Sequence, residues 1–284
     1  MLAYLNLTKP RISLLFALTG LTALMMEKSV PASSEKFWLI GLAIFMVGGS
    51  ANAFNQYLER DIDAQMARTA KKRPLPQGKM SPSMAAIFST VLGLLGTAVL
   101  WRWGGVLSAA LGCATILFYS FYYTLWLKPR TPYNIVIGGV AGSMGPVIAW
   151  AAATGGLSWI ALCLFAIIFF WTPPHFWALA LCCKNDYAKV SLPMLPIVAG
   201  EEATRRQILV YSFLLLPLSL TPFFWGGLGR LYLTVSLLLG VLFAVLALRL
   251  YRQRTLKAGW QLFGYSIVYL LTLFVVMILD AAWR

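Results

Sequence analysis

The amino-acid sequence predicts an all-α integral membrane protein with about nine transmembrane helices and a cytoplasmic N-terminus. Three observations predict it. Only 11% of the 284 residues are charged and 60% are hydrophobic, whereas soluble domains carry about 25% charged residues. The apolar residues fall in runs of roughly 18 to 24, enough to cross a ~30 Å hydrocarbon core at 1.5 Å per residue. The basic residues sit in the short segments between those runs.

The runs lie near 12–27, 37–57, 82–101, 106–127, 134–153, 157–182, 208–228, 231–249 and 262–281. The first is short. Its Lys9 and Arg11, followed by an apolar stretch and Val30-Pro31-Ala32, resemble a secretory signal in outline. Further spans follow, so the segment is expected to stay as the first span. The third and fourth runs are divided at Arg102 and Gly104-Gly105. The chain shows no strong internal repeat and no low-complexity segment, and residues 1–284 read as one domain.

Charge then sets the orientation. With the N-terminus inside, 18 Lys and Arg fall in inner segments and 5 in outer ones, the asymmetry expected of cytoplasmic loops. The net charge of +14 is therefore assigned to topology and anionic lipid headgroups, with the bilayer as partner and not nucleic acid. Cys113, Cys163, Cys182 and Cys183 form no C-x-x-C pair and read as small core residues, not a disulfide or metal framework.

Acidic residues are more informative, because topology does not call for them. Six of the nine lie in two inner loops: Glu59, Asp61 and Asp63, then Asp186, Glu201 and Glu202. The first loop follows Asn52-x-x-Asn55-Gln56-x-x-Glu59-Arg60-Asp61-Ile62-Asp63. On a helix, Asn55, Glu59 and Asp63 succeed one another about 40° apart along one stripe, while Asp61 points elsewhere. An amide and two carboxylates on one face offer hard oxygen ligands to Mg²⁺. Ordinary surface acids at a helix end would be the alternative, but Asn52 and Asn55 sit where the helix should still be in lipid.

The basic run Arg68 to Gly78, with Arg73 within it, follows at once. Carboxylates beside guanidinium groups suit a Mg²⁺-bridged polyphosphate. Lys71 or Lys72 reads as a topology signal; Lys128 and Arg130 are candidates to complete the cage.

A third cluster is Trp171-Thr172-Pro173-Pro174-His175-Phe176-Trp177, followed by Lys184-Asn185-Asp186-Tyr187 and Pro193 to Pro196. The two prolines are expected to break or kink the helix, leaving His175 in the first turn of its second half. If that half is regular, Asp186 lies ~20° in azimuth and ~16 Å along the axis from His175. A lone histidine on an apolar face is often structural, and both readings stand. The stretch Lys128 to Gly139, continuing to Gly142 and Pro146, has small residues that allow close helix packing or room for a flat ligand.

These stretches together resemble the UbiA superfamily of intramembrane prenyltransferases, and within it the branch that prenylates heme. The resemblance runs over almost the whole chain, and Lys128 to Gly139, Trp171 to Phe176 and Asp186-Tyr187 with Pro193 to Pro196 are specific to that branch. It implies helices around a central cavity capped by the two inner acidic loops, in a bacterial plasma membrane with the active site facing the cytoplasm. It implies transfer of farnesyl from farnesyl diphosphate to a vinyl group of protoheme IX, with water added, giving heme O and diphosphate. It also implies that Asn55, Glu59, Asp63 and Asp186 hold Mg²⁺, and that Arg68, Lys128 and Lys184 grip the diphosphate.

Glu59 stands where relatives usually have Asp, and Val190 replaces the second acid of their later motif. Tyr119, Tyr123 or Trp177 would shelter a carbocation. His175 would ligate heme iron or position water. A heme A synthase or terminal oxidase is the partner expected downstream. Three other readings remain: a transporter, which would carry its charges nearer midmembrane; a prenyltransferase acting on a quinone precursor or lipid; and a non-catalytic oxidase assembly factor.

Overall fold

Residues 2–283 are described by a computed structural model. Among them every regular element is a helix: α1 (Leu2–Leu7), α2 (Pro10–Glu27), α3 (Glu35–Leu58), α4 (Arg60–Gln65), α5 (Ala67–Ala70), α6 (Pro82–Leu117), α7 (Asn134–Thr154), α8 (Trp159–Cys182), α9 (Lys184–Lys189), α10 (Leu195–Val198), α11 (Gly200–Trp225), α12 (Arg230–Gln253) and α13 (Leu256–Ala282). Side-chain oxygens start four of the long ones. Ser34, Ser81, Ser158 and Thr255 each accept from the backbone N–H three residues on, at 3.1–3.3 Å, satisfying amides that a helix start leaves open.

Seven helices among the described residues are long and apolar enough to cross a membrane. They are α3, α6 with its continuation to Leu127, α7, α8, α11, α12 and α13. The expectation of about nine meets two differences. α2 has only 18 residues and carries Arg11, Ser13, Thr19 and Thr22, so it falls outside that set. The runs predicted at 82–101 and 106–127 merge into one helical stretch of 46 residues, yet the chain turns within it. Gly105 takes φ +83°, which glycine adopts without penalty. A Cβ at Gly112 would meet Leu100, and one at Gly93 would meet Ile116. A straight helix would hold residues 93 and 116 about 35 Å apart. The two arms therefore run antiparallel.

Exposed tryptophans mark several helix ends: Trp38, Trp101, Trp159, Trp225 and Trp283, as an interfacial belt requires. α7 is the most enclosed of the seven, and small residues let its neighbours approach. A Cβ at Gly145 would lie 2.6 Å from Thr19 Oγ1 and 2.8 Å from the Phe16 carbonyl of α2, and one at Gly20 3.2 Å from the Gly145 carbonyl. Backbone stands in the way, so Gly145→Ala should loosen α2 from α7. The expected cost is about 1–3 kcal/mol, read as a lower thermal midpoint in detergent; an unchanged midpoint would show that the crossing can yield.

At the opposite end of the chain, Asp280 of α13 is buried. Its carboxylate accepts from the backbone N–H of Gly229 and, at 3.4 Å, from that of Tyr232. It thus caps α12, whose own N-cap residue, Gly229, has no side chain to do so.

Candidate active site

The predicted stripe forms, although not as one continuous helix. α3 ends at Leu58, Glu59 adopts φ −94°, ψ 8°, and α4 begins at Arg60. The four-residue hydrogen-bond register nonetheless continues: Glu59 N–H donates to the Asn55 carbonyl at 3.0 Å, and Asp63 N–H to that of Glu59 at 2.8 Å. Asn55, Glu59 and Asp63 are 3%, 4% and 2% exposed, which marks them off from ordinary surface acids. Asp61 points away, solvent-exposed beside Arg60.

Buried carboxylates require neutralising partners, and three basic side chains come from different parts of the chain. Arg73, after α5, ion-pairs with Asp63 and stands 3.5 Å from Glu59. Lys128 pairs with Glu59 from the end of α6's continuation. Lys9, in the turn between α1 and α2, donates to Asn55 Oδ1 at 3.1 Å. It holds a left-handed φ of 48°, an uncommon conformation for a residue with a side chain.

Burial and the neighbouring Arg73 pull the Lys9 ammonium down to about 7, against the pull of Glu59. Burial opposes ionisation of Glu59, but Lys128 and Arg73 outweigh it and hold the carboxyl below its ordinary range. Burial raises the Asp63 carboxyl; Arg73 offsets part of the rise and Glu59 adds to it. One carboxyl of the pair is thus held more firmly ionised than the other.

Neighbours fix the stripe in place. Asn55 Nδ2 donates to Thr124 Oγ1 at 3.2 Å. Asn52 donates to Ser13 Oγ at 3.3 Å, and Gln56 to the Leu7 carbonyl at 2.8 Å, so these two amides tie α2 and α1 to α3. Residues 118–127 continue α6 as a π-helix, with Lys128 N–H donating to the carbonyl of Tyr123 at 2.8 Å. Such turns recur at functional sites. This one presents Tyr119 and Tyr123 as a stacked pair, 5.2 Å between centroids.

Gly138 of α7 gives Tyr123 its space, since a Cβ there would lie 2.5 Å from Tyr123 Cδ2. Gly139 packs on Thr172. Both glycines therefore serve close packing, while a Cβ at Gly142 would meet nothing within 4 Å. Gly138→Ala should displace the Tyr123 ring and lower turnover by up to about a hundredfold, the cost that a misplacement of ~1 Å can carry. Unchanged kcat in this variant would remove Tyr123 from the active site.

Other expected members stand apart. Arg130 is exposed and donates to the Trp126 carbonyl at 2.9 Å, closing the π-helix rather than the site. Lys184 donates to Glu201 at 3.0 Å, and Arg205 reaches the same carboxylate. Asp186 is half-buried on α9 and makes no ion pair among the described residues. Arg68 is half-buried, its Nε enclosed without a hydrogen-bond partner. Among the described residues no three His, Cys, Asp or Glu side chains come together as a metal-binding group. The four-ligand set Asn55, Glu59, Asp63 and Asp186 is thus not assembled: Arg73, Lys128 and Lys9 hold the first three, and Asp186 sits on a separate helix.

Of the break or kink expected at Pro173-Pro174, the break is absent. α8 runs unbroken from Trp159 to Cys182 with both prolines inside it, as membrane helices tolerate when neighbours compensate the lost amides. The interruption comes later, at Cys183 (φ −111°, ψ 22°), so His175 on α8 and Asp186 on α9 belong to separate helices. His175 is 7% exposed, lies between the rings of Trp171 and Phe263, and has Nδ1 2.6 Å from Ser266 Oγ.

Residues 13–277 match the model of the UbiA prenyltransferase family. A protoheme IX farnesyltransferase of Symbiobacterium thermophilum is 44% identical over 98% of this chain and 93% of its own length. One of Erythrobacter litoralis is 46% identical over 98% and 91%. Among solved structures, digeranylgeranylglyceryl phosphate synthase superimposes with a TM-score of 0.81 at 18% identity, covering 99% of this chain and 98% of the other. A UbiA homologue of Archaeoglobus fulgidus bound to GPP and Mg²⁺ gives 0.67 at 15% identity, covering 97% and 99%.

Proposed function

Because the chain belongs to the UbiA prenyltransferase family, we propose that it transfers farnesyl from farnesyl diphosphate to a vinyl group of protoheme IX, yielding heme O and diphosphate. The observation that carries this reading is the buried Asn55–Glu59–Asp63 stripe ringed by Arg73, Lys128 and Lys9. Relatives over 40% identical along nearly the full length, named as protoheme IX farnesyltransferases, support heme as the acceptor over a quinone precursor. Acids crowded at one end of the bundle disfavour a transporter. The multi-pass chain would sit in a bacterial plasma membrane as nine spans, counting α2 and both arms of α6, with this site facing the cytoplasm.

The donor set fits a hard divalent cation. Glu59 and Asp63 would supply carboxylate oxygens and Asn55 an amide oxygen, and Asp186 of α9 would be the fourth ligand once α9 closes on them. Mg²⁺ bound there would supply positive charge to the leaving diphosphate. The basic residues do the rest. Arg73 and Lys128 exchange carboxylate for phosphate oxygens as substrate enters, and Arg68 and Lys184 add further contacts. The allylic C–O bond breaks with its electron pair going to the diphosphate, whose growing charge these side chains stabilise. The Tyr119–Tyr123 stack faces the allylic cation. The vinyl π electrons form the new C–C bond; water captures the resulting cation beside the porphyrin and gives up a proton.

Pigment analysis tests the reading. Expressed in membranes that lack heme farnesylation, the chain should produce a heme heavier than protoheme by one farnesyl group plus water. Protoheme alone, with farnesyl diphosphate and Mg²⁺ supplied, would reject heme as acceptor.

A further inference from the structure

Ser266 of α13 holds two rings of α8 at once. Its backbone carbonyl accepts from Trp171 Nε1–H at 2.7 Å, and its hydroxyl oxygen lies 2.6 Å from His175 Nδ1. The same hydroxyl lies 2.6 Å from the Phe263 carbonyl one turn back in α13. A hydroxyl has one proton and a carbonyl can only accept. Assigned to the Phe263 carbonyl, the Ser266 proton leaves its oxygen to receive from His175. This assignment puts the imidazole proton on Nδ1 of His175 and an in-plane lone pair on Nε2. Among the described residues Nε2 has no hydrogen-bond partner.

The ring cannot turn to change this arrangement. Trp171 stacks on one face at 4.4 Å between centroids and 17°, and Phe263 on the other at 4.7 Å and 24°. Phe176 meets the ring edge-on at 4.9 Å. With both faces covered, only the ring edge remains for a ligand. A histidine in a closed core would be expected to use both nitrogens, whereas Nε2 is not fully enclosed and keeps some open surface. Here one nitrogen is anchored by a residue 91 positions away and the other is left uncommitted.

We propose that Ser266 is a positioning residue: its hydroxyl fixes His175 in the Nδ1–H tautomer and so makes Nε2 an electron-pair donor to the iron of bound heme. The proposal rests on heme being the acceptor substrate. An imidazole N–H hydrogen-bonded on its far side both sets the tautomer and raises the basicity of the ligating nitrogen. His175 would then hold the porphyrin while the vinyl edge reacts elsewhere. Losing a partner of this kind typically costs about 10- to 100-fold in metal affinity.

The test compares hemin with iron-free protoporphyrin IX, each titrated into purified full-length protein in detergent. In Ser266→Ala, hemin affinity should fall about 10- to 100-fold with a shifted Soret band, while protoporphyrin IX binds as to the parent. Ser266→Thr should restore hemin binding. Should Ser266→Ala not survive extraction, Ser266→Cys, close in size but a weak acceptor, carries the same comparison. Equal losses for both porphyrins would mean that Ser266 only shapes the pocket, and no loss for either would mean that Nε2 does not meet iron. Both outcomes overturn the proposal. Failure of the parent chain to make heme O would instead reject the acceptor reading, which the pigment assay reports separately.

Discussion

Asp63→Ala should lower heme O formation by about 10²–10³-fold, the loss seen when one preorganised electrostatic group is removed from a reacting centre. The protein itself should still reach the membrane. Asp63 lies in a six-residue helix outside the spanning segments, and its partner Arg73 retains Glu59 at 3.5 Å. The substitution therefore removes a proposed metal ligand without stranding the guanidinium. Asp63→Asn separates charge from shape: the amide keeps an oxygen in place but not the negative charge, and should be nearly as impaired. Quantified extracted heme against immunodetected protein decides the matter. Undiminished heme O from either variant would take the divalent cation away from this stripe.

The second large effect concerns the Glu59–Lys128 pair, both of whose side chains are largely enclosed. Lys128→Met leaves a buried carboxylate with Arg73 as its one remaining direct ion-pair partner among the described residues. Breaking such a pair from one side typically costs about 3–5 kcal/mol, whereas replacing both partners by neutral groups can be close to neutral. Thermal unfolding in detergent should therefore rank Lys128→Met well below the parent and Glu59→Gln/Lys128→Met near it. Turnover should follow a different order and be low in both variants, because neither can hold diphosphate and metal together. This divergence of stability from activity distinguishes a site built for a ligand from a salt bridge that only stabilises the fold. If the double variant were no more stable than the single one, the pair would not be a charge-neutralising couple.

Much of this arrangement was legible in the sequence, and the reasons are local. The four-residue spacing of Asn55, Glu59 and Asp63 survives the end of α3 because the hydrogen-bond register passes through Glu59. The turn at Gly104-Gly105 was legible because a charged residue and paired glycines interrupt an apolar run, and Gly105 does take a positive φ.

What could not be read depends on distant partners. Arg73 comes back onto two carboxylates across two short helices. Lys9 reaches Asn55 over 46 residues; its only signal was Lys9-Pro10-Arg11 ahead of the first apolar run. Thr124 enters the site through a π-helical turn that no residue pattern announces, and Ser266 meets His175 over 91 residues. The prolines of α8 do not break it, because propensities describe isolated helices, whereas here the surrounding helices keep the element continuous. The true interruption at Cys183 carries neither glycine nor proline.

The cap that Asp280 provides for α12 has a temporal side. The first amides of a helix have no acceptor within it, yet Tyr232 is synthesised 48 residues before the carboxylate that receives its N–H. While the ribosome is still translating the intervening segment, the start of α12 lacks this acceptor. It gains it only when α13 has been threaded to within a few residues of its end. Docking of the last helix therefore closes a structural debt incurred one helix earlier, and a nascent chain released before Asp280 would leave α12 without that closure.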